Sequence, residues 1–365
     1  MFKSVKIHEG HDNFFTPLRL LFATLVVVGH TFSVALRDAN AEPHVFFIYT
    51  FSYLAVNLFF VASGFLVTKS MLYRKDKAEF SSARFLRIYP GLFVHVLFVM
   101  FIIGPIGTSL PLLTFMSDPS FFLQPLWVLT FFETNMVMPG MFEANAEPIG
   151  SAPLWTLRYE ILAYIGTLLA FSLGFMKKRW MLLAQFVLPT LAWIAAIQTG
   201  IFENIPATLQ SLLRFGVAYG LGAAIFAYKD TISFNLVGLI AVTILAVITQ
   251  STVLAEVTVN IMLAYFIFFF AYIKAPKLNW MQGINDLSYG IYIYHWCVMQ
   301  TVFMFFPGLG VASLFVFTMI VTTILAALSW HYVEKPALKS KKSFAKFLRF
   351  SKDKKSSEKT VLSEG

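Results

Sequence analysis

Runs of apolar residues long enough to cross a lipid bilayer set the terms for this chain. Spanning a hydrocarbon core about 30 Å thick takes about 18 or more mostly apolar residues. Such a segment must be helical, because lipid satisfies no stray backbone donor or acceptor. Ten are predicted, at residues 17–36, 45–69, 88–106, 154–175, 180–199, 208–228, 234–250, 253–273, 287–306 and 311–332. The weakest division lies at residues 250–252, where two spans meet with hardly a turn between them. Residues 121–132 are apolar but too short to cross, which suits an interfacial or re-entrant segment. Only 13% of the 365 residues are charged while 58% are apolar; a soluble domain carries about a quarter charged. The expected fold is all-α, a polytopic integral membrane bundle of about ten transmembrane helices.

The loops orient it. Alternate loops hold Arg74, Lys75, Lys77 and Arg84; then Lys177, Lys178 and Arg179; then Lys229; then Lys274 and Lys277; then a Lys-rich tail. The opposite loops hold Asp38, Glu42, Asp118, Glu133, Glu143, Glu147 and Glu203, with Arg37 their one basic residue. Lys and Arg in short loops mark the cytoplasmic side, so both termini are predicted there. The net charge of +9 thus follows topology and implies no nucleic-acid partner.

The longest extracytoplasmic loop, about 107–153, is rich in Pro, Met and aromatics and is expected to fold over the bundle mouth as a lid. Residues 1–336 read as one transmembrane domain without an internal repeat, and 337–365 as a basic cytoplasmic tail. That tail interleaves Lys339, Lys341, Lys342, Lys346 and Arg349 with Phe344, Phe347 and Phe350. It suits an amphipathic patch on anionic lipid and, after residue 351, a disordered tail equally well. The first sixteen residues carry charges and no apolar stretch ending at a small-residue cleavage site, so no cleavable signal peptide is expected. The single cysteine, Cys297, lies in an apolar run and reads as a small buried hydrophobe. No metal site is expected: the histidines lack i, i+4 spacing with a carboxylate, and one cysteine supplies no thiolate pair. Gly216, Gly220 and Gly222 read as close helix packing rather than a phosphate-cradling loop.

A charge at the bilayer centre costs at least about 2.5 kcal/mol, so the few ionisable groups inside the spans carry the functional information. Arg19 and His30 are eleven residues apart on the first span, which returns them to one helix face about 16 Å apart. A snorkelling anchor competes as a reading of Arg19, and an interhelical hydrogen bond as a reading of His30. Glu160 lies about 9 Å below the outer surface in the fourth span, near the depth of His30; a structural ion pair is its plain alternative. Ser288, Tyr292 and His295 place a hydroxyl, a phenol and an imidazole on one face of the ninth span. Arg84 and Arg87, three apart at the cytoplasmic mouth of the third span, form a guanidinium pair suited to phosphate. Ordinary positive-inside anchoring competes there. Glu334, just past the last span, faces them from the same side.

Taken together, these stretches make the chain resemble the acyltransferase 3 family of membrane enzymes that modify cell-surface polysaccharide, lipopolysaccharide and related acceptors. The resemblance rests on Arg19 with His30 eleven later, the run from Asn57 to Leu66, Arg84 through Pro90, Leu154 through Glu160, Ser288 through His295, and Ser329 through Pro336. These run in family order over about residues 10–340. Two positions depart from the family pattern: Asn57 where many members carry an acid, and Ala62 where Leu or Ile is usual.

The resemblance implies a ten-span O-acyltransferase of a bacterial-type inner membrane. It would move an acyl group, expected to be acetyl, from cytoplasmic acetyl-CoA to a hydroxyl of a surface glycan or its lipid-linked precursor. It implies catalytic roles for His30, Glu160 and Arg19, with His30 as general base or acyl carrier and Glu160 orienting it or the sugar. Donor contacts are expected at Arg84, Arg87, Ser288, Tyr292 and His295, with Tyr292 or Ser288 donating to the oxyanion. The competing class is a proton-coupled transporter or flippase using the same polar residues as a relay; paired halves with interrupted helices, its usual mark, are not found.

Overall fold

The computed structural model describes residues 4–349 apart from residues 9 and 11, and over them the chain is a helical bundle. In chain order its helices are α1 (Phe15–Ala35), α2 (Phe51–Arg74), α3 (Lys77–Phe98), α4 (Gly104–Gly107), α5 (Leu112–Ser117), α6 (Pro119–Leu129) and α7 (Trp155–Ser172). Then follow α8 (Arg179–Gln198), α9 (Ala207–Ala227), α10 (Leu236–Thr249), α11 (Ala255–Ala271), α12 (Ser288–Phe305), α13 (Val311–Ser329) and α14 (Lys335–Lys339). Wider π-helical turns at Val99–Ile103 and Trp330–Glu334 join α3 to α4 and α13 to α14. Two small antiparallel pairs decorate the bundle: β1 (Val5–Lys6) with β4 (Ser233–Phe234), and β2 (His44–Phe46) with β3 (Tyr49–Thr50).

Every predicted span falls on a helix. Six are long and apolar enough to cross a membrane alone: α1, α2, α3 with its extension to Gly107, α8, α9, and α13 with its extension to Lys339. The other four are shorter or more polar: α7 and α12 have 18 residues each and carry candidate site residues, α11 has 17 and α10 has 14. The outer surface is apolar. Leu188 and Leu191 on α8, Ile244 and Ile248 on α10, and Phe317, Ile320 and Ile324 on α13 are all exposed, a pattern that water would not tolerate over so wide a patch.

The helices differ in how central they are. Fourteen of the 18 residues of α12 are buried, against five of the 19 in α13. The long α2 packs on α1, α7, α9 and α11. Its contact with α9 is backbone against backbone: a Cβ at Gly64 would lie 2.0 Å from the Tyr219 carbonyl oxygen, and one at Gly222 would lie 2.1 Å from that of Val61. Gly220 meets the Gln185 carbonyl of α8 in the same way. Small residues let helices approach to this distance; Gly216, by contrast, only faces Pro189.

Two span starts differ most from the sequence reading. Residues 45–50 form a β-hairpin around Phe47, whose φ of 53° is the left-handed region of a turn, so α2 starts at Phe51. Helix α3 starts eleven residues before the predicted 88, because the Asp76 carboxylate caps it by accepting from the Glu79 N–H at 3.0 Å. Arg84 and Arg87 therefore stand on a helix. In the 107–153 loop, α5 and α6 expose Leu113, Phe122 and Leu126, and Phe131 sets its ring edge against Tyr89 of α3. Basic residues at 352, 354 and 355 of the predicted tail lie outside the described residues. Within them Phe344 stacks on Phe85, and Arg349 pairs with Asp76.

Candidate active site

Two histidines from helices far apart in sequence meet in the bundle. His30 Nδ1 of α1 lies 2.8 Å from His295 Nε2 of α12, and the rings stack 5.1 Å apart. His295 Nδ1 lies 3.1 Å from the Ile291 carbonyl oxygen, one turn back. A carbonyl only accepts, so that nitrogen carries the proton. In the neutral ring Nε2 of His295 is then an acceptor, and His30 Nδ1 must donate to it. His30 is left with its lone pair on Nε2. Trp296 sets its ring at 88° against His30, and its own N–H donates to the Ile149 carbonyl at 2.9 Å. The 107–153 loop thus reaches the histidine pair through one indole. The same loop seats Asn145 and Glu147 on Gln300.

A second cluster surrounds Asp286, which the sequence reading passed over. Arg19 Nη1 donates to its Oδ2 at 2.6 Å and Arg87 Nη2 to the same oxygen at 2.8 Å. The Ser288 hydroxyl donates to Oδ1 at 2.5 Å. Burial alone would raise the Asp286 pKa; Arg19 and Arg87 outweigh it and hold the carboxyl at about 2. Arg87 also reaches Glu334, whose carboxylate accepts from Ser329 at 3.0 Å. One carboxylate therefore ties α1, α3 and the start of α12 together. The available signal was an acid flush against the ninth span in an otherwise basic loop.

Two adjoining cavities lie against Arg19 of the Asp286 cluster, and neither has a histidine in its lining. The larger, about 450 Å³, is lined by Arg19, Lys69, Arg74, Arg84, Arg87 and Lys341 with Glu160 as its one acid. The Arg84 guanidinium lies over the Tyr164 ring at 5.4 Å, and its buried Nε has no protein partner. The smaller, about 60 Å³, shares Arg19, Phe59, Ser63 and Glu160 with it and continues to Thr156, Leu157, Ser288 and Tyr292. Tyr292 in turn sets its ring 6.2 Å from that of His295.

The sequence-predicted residues thus fall into two groups. Arg19, Arg87 and Ser288 converge on Asp286, whereas His30 and His295 pair with each other. Glu160 accepts from Tyr164 and faces the basic cavity; no hydrogen bond joins it to His30 among the described residues. The Tyr292 hydroxyl lies 2.9 Å from the Pro153 carbonyl and 2.6 Å from Thr156 Oγ1. Its proton and that of Ser288 are therefore engaged within the protein. Sequence reasoning also missed Lys69, Arg74 and Lys341, which looked like ordinary basic ends of spans.

Comparison with known proteins bears on what these cavities do. A family model described as an acyltransferase domain matches residues 13–331. The chain is 28% identical to Nodulation protein 10 of Rhizobium leguminosarum bv. viciae over 358 residues, covering 92% of this chain and 95% of that protein. It is 26% identical to an O-acetyl transferase of Shigella phage Sf6 over 333 residues, covering 89% and 95%. No solved structure matches it.

Proposed function

The chain belongs to the acyltransferase family that matches it over residues 13–331, and on that premise we propose that it is a membrane O-acetyltransferase drawing on cytoplasmic acetyl-CoA. The acceptor is a hydroxyl of a cell-surface glycan or its lipid-linked precursor. The observation that carries the reading is the six-cation groove opening into a small pocket that ends at Tyr292, beside the histidine pair.

Coenzyme A is polyanionic, and its phosphates suit Arg84, Lys69, Arg74 and Lys341, guanidinium groups giving bidentate contacts. Arg19 and Arg87, held by Asp286, stand deeper, where the pantetheine arm passes inward. The small pocket matches a two-carbon acyl group. His30 Nε2 then takes the proton of the acceptor hydroxyl as its oxygen attacks the thioester carbonyl. The tetrahedral intermediate collapses with loss of the thiolate, which takes the proton back from His30. The products are the acetyl ester and the free thiol, and His30 ends neutral. His295 holds the base in the productive tautomer throughout. Ten spans with both termini in the cytoplasm put the groove on the inner face of a bacterial-type cytoplasmic membrane, with His30 nearer the outer face.

The test is direct. Purified protein in liposomes, given acetyl-CoA and surface glycan from cells lacking the chain, should release free thiol and yield acetylated glycan by mass spectrometry. Absence of both would overturn the proposal and leave a relay for transport as the use of these residues.

A further inference from the structure

We propose that a second cleft, at the end of the bundle opposite the basic groove, binds sugar units of the acceptor that flank the acetylated one; this rests on the acyltransferase reading above. The cleft has a volume of about 420 Å³ and is lined by Tyr49, Tyr53, Trp193, Gln210, Arg214 and Glu256. Tyr53 stands in the first turn of α2, whereas Lys69 and Arg74 of the basic groove stand near its end. At 1.5 Å per residue these two cations lie about 24–32 Å along the helix from Tyr53.

Its chemistry matches a saccharide and differs from that of the donor groove. Sugars present hydroxyls, which planar polar side chains hold at two points, and apolar C–H faces, which pack on aromatic rings. Both are here. The Arg214 guanidinium stacks 3.2 Å from the Tyr53 ring centroid and donates to Asn57 Oδ1 at 2.8 Å and the Tyr53 carbonyl at 2.9 Å. Glu256, only 2% exposed, accepts from the Tyr53 hydroxyl and from Asn57, each at 2.8 Å, and from Asn260 at 2.9 Å. The Gln210 amide nitrogen is fixed by the Phe202 and Ile205 carbonyls. Charged groups inside apolar helices are expensive, and the donor route uses none of these. This knot between α2, α9 and α11 borders a cavity with aromatic walls.

A short chain of contacts runs from α2 beside the cleft to the residue before His30. Ser52, beside Tyr53, holds the Glu42 carboxylate through its N–H at 2.6 Å and its hydroxyl at 2.5 Å. That carboxylate occupies the notch left by Gly29, where a Cβ would lie 2.0 Å from Oε1. Gly29 immediately precedes His30. An extended glycan anchored between Tyr49 and Trp193 can therefore run along this rim and present a neighbouring hydroxyl to the base.

Two variants test the cleft: Gln210→Ala, which removes one polar contact, and Ile48→Trp, which fills the rim from an exposed position. The probe is surface glycan extracted from cells lacking the chain. Each variant should raise the KM for that glycan about tenfold, leaving acetyl-CoA affinity as in wild type, and Ile48→Trp should also keep the wild-type thermal midpoint. Normal glycan KM in both variants, or a parallel loss of donor affinity, overturns the cleft while the acyltransferase reading stands. If wild type transfers nothing yet binds the glycan in a way both variants weaken, the cleft stands and the acyltransferase reading fails.

Discussion

His30 and His295, 265 positions apart in sequence, share a 2.8 Å nitrogen–nitrogen contact, and the Ile291 carbonyl decides which ring keeps the free lone pair. A general base contributes about 10²–10⁴-fold to such a transfer. His30→Ala should therefore lower kcat for glycan acetylation by about that range. His295→Gln, which keeps an acceptor oxygen facing His30, should retain more activity than His295→Ala. Equal loss in the two His295 variants would show that the tautomer is not what His295 supplies.

Arg84 has an unpartnered Nε in the cationic groove. Arg84→Ala should raise the KM for acetyl-CoA about tenfold, the loss of one charge-assisted contact, with kcat little changed. Rising salt should move the wild-type KM in the same direction. Steady-state kinetics at two ionic strengths check both.

Asp286 makes acid stability measurable. Its carboxyl titrates at about 2 in the fold against an ordinary 3.8. The native state therefore binds the proton more weakly, and the stabilisation, about 2 kcal/mol, is present above about pH 4 and lost as pH falls toward 2. The wild-type thermal midpoint in detergent should drop across that window. The midpoint of Asp286→Asn should start lower at neutral pH and drop less steeply.

Glycines on α2 and α7 should respond in opposite ways. Gly64→Ala drives a methyl against the Tyr219 backbone and should cost about 1–3 kcal/mol. Gly166→Ala meets nothing within 4 Å and should be neutral or stabilising by up to about 1 kcal/mol, since alanine favours helix. Thermal midpoints in one detergent compare them directly.

What could be read from the sequence divides along the range of the interaction. The helices were legible because the length of an apolar run is a local property. The correct start of α3 was legible too: Asp76 followed by Glu79 is a capping signature, overlooked beside the basic residues around it. Arg19, His30 and Glu160 stood out because charge inside lipid is costly wherever it sits. Their partners did not stand out. Asp286 lies 267 positions from Arg19, in a loop where an acid looks unremarkable, and nothing local ties Glu256 to Tyr53. The expected link of Glu160 to His30 was inferred from depth alone. Depth fixes a level in the bilayer but not a direction around the helix axis, and Glu160 faces Tyr164 and the basic groove.

The glycine contacts between α2 and α9 have a mechanical meaning. With no side chain to act as a cushion, the two backbones lock like rods clamped at one point, and neither can slide without lifting off the other. The same rod carries Tyr53 near its start and Lys69 near its end. Under the proposed acyltransferase function, the acyl group would be handed along through this standing scaffold while the α2 and α9 walls stay put.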